Sequence, residues 1–137
     1  MENSDASGRG AALHYIRADR TVRDAVRLLS RPGSDALVVI DGRPDSDGAI
    51  VGLLTERDIF RALTAGGLEV LDALVWTLAR ADFAAVDVGL APQERLAAFC
   101  RHRTEHLAVM DGFALRSVES IWDCLAAPSA RTAAPGP

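Results

Sequence analysis

Apolar residues switch between two spacings along this chain, and the switches divide it into short strands and helices. Tyr15–Arg17 reads as a short strand. Thr21 then offers a helix N-cap, with Asp24 at the third helical position in place of the usual Glu of a capping box. Val22, Val26 and Leu29 follow at helical spacing, and Arg31-Pro32-Gly33 stops that helix. Leu37–Ile40 is a continuous apolar run, β-branched and too short for a helix, which predicts a buried strand. Asp45-Ser46-Asp47-Gly48 predicts a turn into a second strand, Ile50–Leu54. Ile59, Phe60 and Leu63 mark a helix that ends at Gly66-Gly67. The plan then recurs: strand Ala84–Val88, helix Pro92–His102, strand Leu107–Met110, strand Leu115–Glu119 and helix Ile121–Leu125. Pro92 suits a first helical turn, where a missing N–H costs nothing.

The recurrence extends to the residues themselves. Ala36-Leu37-Val38-Val39-Ile40-Asp41-Gly42 returns 70 residues later as His106-Leu107-Ala108-Val109-Met110-Asp111-Gly112. Ile50–Asp58 corresponds to Leu115–Asp123, now at an offset of 65. The shortening falls in the turn between the two matched blocks, where a loop tolerates it. The pattern therefore predicts one βαββα unit built twice, with approximate twofold symmetry, α/β in class, its sheets packed around one shared core. Repeat 1 is assigned to residues 14–66 and repeat 2 to 82–126. Between them, Leu68, Leu71, Leu74, Val75 and Leu78 are spaced like one helical face and predict a connecting helix over 67–81, with Leu71, Leu74 and Leu78 buried. The polar, Gly-rich start (1–13) and the Ala- and Pro-rich tail (127–137) are expected to be mobile.

Composition narrows the function. The 137 residues are 49% hydrophobic and 25% charged, as in an ordinary globular domain. The net charge of −4 argues against a dedicated nucleic-acid binder, and 5% aromatic residues are too few for a base-stacking surface. No apolar run reaches the ~18 residues of a membrane span. The first ten residues lack the apolar stretch of a secretory signal, so a cytoplasmic location without membrane attachment is expected. Cys100 and Cys124 read as small core residues rather than a disulfide framework. Cys100, His102 and His106 do not converge as a metal site, because residues two apart on a helix point to different faces. No nucleophile elbow, P-loop or dinucleotide fingerprint occurs, so the chain is expected not to be an enzyme.

The repeated βαββα unit, with Gly52-Leu53-Leu54-Thr55-Glu56-Arg57-Asp58 at its final strand-to-helix junction, resembles a CBS domain pair, or Bateman module. The second junction, Ser117-Val118-Glu119-Ser120-Ile121-Trp122-Asp123, keeps the hydroxyl residue and the Asp but replaces the Gly. The family's usual Met-Thr before the second unit's first strand is absent; Ala79-Arg80 stands there. The resemblance covers roughly Tyr15–Leu125. It implies a regulatory module that binds an adenosine nucleotide such as AMP, ADP or ATP in the cleft between the repeats and signals to a protein partner. It also implies a homodimer, formed through helices Ile59–Leu63 and Ile121–Leu125. By the same resemblance Thr55 and Ser120 face phosphate and Asp58 and Asp123 hold ribose hydroxyls, while Ile16, Val38 and His106 line the same cleft. The chemistry suits these roles. An ionised Asp accepts from two hydroxyls, a helix start favours phosphate, and Arg57 is placed to supply a cation.

A plainer reading stands beside this one. Thr21–Asp24, Thr55–Asp58 and Ser120–Asp123 each place a hydroxyl residue three positions before an Asp, which is a capping box and needs no ligand. Trp122 is a candidate for stacking on adenine, but a large apolar side chain near a helix start is more often buried at a protein contact. A ligand-free dimerisation or scaffold module is the alternative function.

Overall fold

The computed structural model of the chain describes residues 13–42 and 49–126. The expected mobile ends, apart from Leu13, and the turn Asp45–Gly48 lie outside the described residues. Two units are present, one spanning Leu13–Phe83 and the other running from Ala84.

In the first unit, strand β1 (Tyr15–Arg17) leads through helix α1 (Val22–Leu29) to β2 (Ala36–Asp41), followed by β3 (Ala49–Thr55) and α2 (Glu56–Gly66). The sheet order is β1-β2-β3, with β1 parallel and β3 antiparallel to the central β2. The capping box predicted for α1 is present. Thr21 Oγ1 accepts from the Asp24 amide at 3.2 Å and the Thr21 amide donates to Asp24 Oδ2 at 3.4 Å. That backbone hydrogen bond, helped by the Thr21 hydroxyl and Arg20, holds the Asp24 carboxyl below the usual carboxylate range.

The second unit repeats the order with β4 (Ala85–Asp87), α3 (Pro92–His102), β5 (His106–Asp111), β6 (Ala114–Ser120) and α4 (Ile121–Ala126). Its sheet is β4-β5-β6, again parallel then antiparallel. Even the irregularities correspond. The register slips between Val39 and Ile40 on β2, and between Val109 and Met110 at the same place on β5. A bulge kept at one position in both copies marks a shared plan.

Alternation along the strands sorts side chains to two faces. Ile16, Leu37, Val39 and Leu54 join Val22, Ala25, Leu29 and Ile59 in one buried cluster. Leu107, Val109 and Val86 join Ala98, Phe99 and Cys124 in another. Each unit thus has its own cluster of buried apolar residues. Cys124 is buried, and burial together with the nearby Glu119 raises its thiol pKa. Cys100 departs from expectation. It is exposed, because α3 turns Ala98 and Phe99 inward instead.

The segment 67–81 also departs from the single helix its spacing predicts. It contains two short 3₁₀ helices, Gly67–Asp72 and Val75–Thr77. Gly67 adopts φ +77°, a left-handed conformation that ends α2. Beyond it, residues three apart eclipse in a 3₁₀ turn, so the same apolar spacing serves a different backbone. Val75 is fully buried (0%), whereas Leu74 and Leu68 are exposed. The segment is tied down by main-chain bonds. Val75 N donates to Arg20 O at 2.8 Å and Val22 N to Ala73 O at 2.9 Å.

Candidate functional site

The first junction is assembled where β3 runs into α2. Thr55 has extended backbone (φ −116°, ψ 169°), and its hydroxyl caps the helix by accepting from the Asp58 amide at 3.3 Å. In return Asp58 Oδ2 accepts from the Thr55 amide at 2.9 Å and from the Thr55 hydroxyl at 3.0 Å. One carboxylate oxygen of Asp58 is therefore committed to the cap. The other, Oδ1, faces Arg80 Nη1 at 3.9 Å. Arg57 is exposed on the first turn of α2.

Arg80 reaches this junction because its main chain lies against β3. Leu53 N donates to Arg80 O at 3.0 Å, and Arg80 N donates to Leu53 O at 2.9 Å, an isolated antiparallel bridge. Gly52 makes the approach possible. A Cβ there would lie 2.6 Å from Arg80 O and 2.7 Å from Arg80 C, closer than side-chain carbons come to backbone. The glycine of the motif thus accommodates a neighbouring strand-like segment. The motif's spacing alone does not identify Arg80 as that neighbour.

The other residues expected at this site divide by strand parity. Val38 pairs with Leu53, and Ala36 pairs with Thr55, which puts Val38 and Thr55 on the same sheet face. Ile16 pairs with Val39 and belongs to the opposite, helix-covered face, where it is 4% exposed within the core cluster. Its side chain packs with Val22 and Leu29 in that cluster and not beside Val38.

The second junction has the same frame. Ser120 Oγ accepts from the Asp123 amide at 3.0 Å, and the Ser120 amide donates to Asp123 Oδ2 at 3.2 Å. His106 lies directly across from Ser120 in the β5–β6 register. Its amide donates to Thr104 Oγ1 at 3.3 Å, while that hydroxyl donates to the His106 carbonyl at 3.1 Å. Ser120 is buried, and Asp123 and Trp122 are exposed. Trp122 takes the place that Arg57 has in the first unit, so this junction lacks a cation on its first helical turn.

Chemically, each junction offers a carboxylate, a hydroxyl and the start of a helix, and the first adds two guanidinium groups. Among the described residues no group of three or more His, Cys, Asp or Glu is placed to hold a metal ion. No helix among them is long and apolar enough to cross a membrane.

Comparison with known proteins finds likenesses to this arrangement. Residues 12–65 match the family model of the CBS domain. No curated protein matches the chain. Solved structures do. A CBS-domain-containing protein from Agrobacterium tumefaciens aligns with a TM-score of 0.77 at 22% identity, covering 85% of this chain and 84% of its own. A protein with CBS domains from Burkholderia ambifaria aligns with a TM-score of 0.74 at 29% identity, covering 89% and 85%. A CBS domain protein from Pyrobaculum aerophilum, solved in complex with AMP, aligns with a TM-score of 0.68 at 22% identity, covering 81% and 82%. The first repeat thus matches the CBS domain, and the second repeats its βαββα order.

Proposed function

We propose that this protein is a regulatory CBS-pair module that binds an adenosine nucleotide at the Thr55–Asp58 junction and passes its occupancy to a protein partner in the cytoplasm. The repeats are taken as residues 14–66 and 82–126, joined by 67–81. The observation that carries the reading is the first junction itself. Asp58 keeps one carboxylate oxygen outside the cap, with Arg80 Nη1 3.9 Å from it, and Arg57 is exposed on the first turn of the same helix. The AMP complex of the Pyrobaculum aerophilum protein supports the ligand class. Regulation then follows from unequal affinity. A nucleotide shifts the protein toward whichever conformation binds it better, and by no more than that difference. Calorimetric titration with AMP, ADP and ATP tests the proposal. A saturable heat for at least one of them supports it, and no heat from any defeats it.

A second reading, a ligand-free dimerisation module, is favoured by large apolar side chains left exposed. Phe60 on α2 is 67% exposed, and Trp122 and Leu125 on α4 are 69% and 53% exposed. An isologous dimer would cover such residues. Light scattering at micromolar concentration should then give a dimer mass, reduced to a monomer by Trp122→Ser or Phe60→Asp. A monomeric wild type defeats this reading.

A further inference from the structure

We propose that Arg80 makes the Asp58 junction selective for anionic ligands. This rests on reading that junction as a nucleotide site. The argument begins with charge. The first turn of α2 carries Glu56 and Asp58, and Asp82 lies 3.6 Å from Arg80, so the junction is rich in carboxylates. Arg80 stands between two of them, with Nη1 3.9 Å from Asp58 Oδ1 and Nε 3.6 Å from Asp82 Oδ1. That guanidinium, next to the carboxylate that suits ribose, offsets the carboxylate's repulsion of the phosphate attached to the ribose.

Geometry makes Arg80 available for the task. Its main chain is fixed by the two hydrogen bonds to Leu53 over Gly52, so the side chain starts from a defined point. Both ion pairs are longer than the ~2.7–2.9 Å of a charge-assisted hydrogen bond, so neither spends a guanidinium donor. The side chain is 53% exposed, while Asp58 is only 11% exposed. A planar fork with five donors, half in solvent and pinned at its base, can turn to a phosphate and leave Asp58 Oδ1 to a hydroxyl. A neutral nucleoside needs no such neutralisation, and this difference is what separates the two ligands.

The test compares AMP with adenosine by calorimetry in wild type, Arg80→Gln and Arg80→Lys. The backbone bridge to Leu53 needs no side chain, so both variants retain it. Wild type should bind AMP at least about tenfold more tightly than adenosine, the scale of one hydrogen bond to a charged group. Arg80→Gln should bring the two affinities to within about threefold by weakening AMP alone, and Arg80→Lys should fall between. AMP binding with the same preference in Arg80→Gln overturns the proposal and leaves the nucleotide site standing. A wild type that binds neither compound overturns both.

Discussion

Arg95 Nη1 lies 3.3 Å from Glu119 Oε1, at the positions where the first unit has Ala25 and Leu54. Ala25 and Leu54 are both wholly buried in their core cluster. The second unit thus has an ion pair, each partner about one-fifth exposed, where its sister has apolar contact. The same guanidinium donates to Leu90 O at 3.0 Å and Val88 O at 2.9 Å, holding the turn between β4 and α3. A half-buried pair of this kind is vulnerable to loss of one partner and tolerant of losing both.

Arg95→Ala should therefore destabilise the second unit by about 1–3 kcal/mol, since it leaves Glu119 and two carbonyls without their donor. Adding Glu119→Leu, which imports the sister unit's Ala–Leu combination, should recover the part of that loss due to the unpaired Glu119. Urea unfolding of the two variants checks this. A double variant no better than Arg95→Ala alone would contradict it.

Substituting Gly52 tests the close approach of Arg80. Gly52→Ala would press a methyl group into Arg80 main chain, which is not the flexible end of a side chain and must shift as a segment. A cost of about 1–3 kcal/mol is expected, the range of overpacking, with loss of the Leu53–Arg80 bridge. Ser117→Ala, at the corresponding place in the second unit, should be nearly neutral by thermal unfolding. Equal stability in the two variants would show that Arg80 does not need the glycine.

Burial in the segment 67–81 centres on Val75, not on Leu74 as the helical spacing predicts. Val75→Ala should cost about 2 kcal/mol, two buried carbons and the cavity they leave. Leu74→Ala, at a residue 39% exposed, should cost less than half as much. Chemical denaturation ranks them, and a larger loss for Leu74 would contradict the packing described.

These differences show what was legible in the chain and what was not. The repeat and its order of strands and helices lie in local spacing and capping residues, and Thr21, Pro92 and Gly66-Gly67 mark boundaries where the structure has them. The path of 67–81 was ambiguous because an apolar residue every third or fourth position suits both an α-helix and a 3₁₀ turn. Ile16 and Val38 read alike as apolar strand residues, and only the parallel register puts them on opposite faces. Arg80 was hidden for a different reason. Its contact with Asp58 joins residues far apart in the chain, and the available signals were Gly52 and the departure from Met-Thr at Ala79-Arg80.

The central claim is that the Thr55–Asp58 junction binds nucleotide and is more than a helix cap. Calorimetric titration of AMP into wild type and Asp58→Ala, with folding checked by circular dichroism, tests it most directly. The variant should remain folded, since a lost capping carboxylate costs about 0.5–2 kcal/mol. Its AMP affinity should fall roughly tenfold to hundredfold, the loss of one hydrogen bond to a charged group, while Asp123→Ala changes it less. Undiminished AMP affinity in folded Asp58→Ala would contradict the account and leave the Thr55–Asp58 pair as a capping box alone.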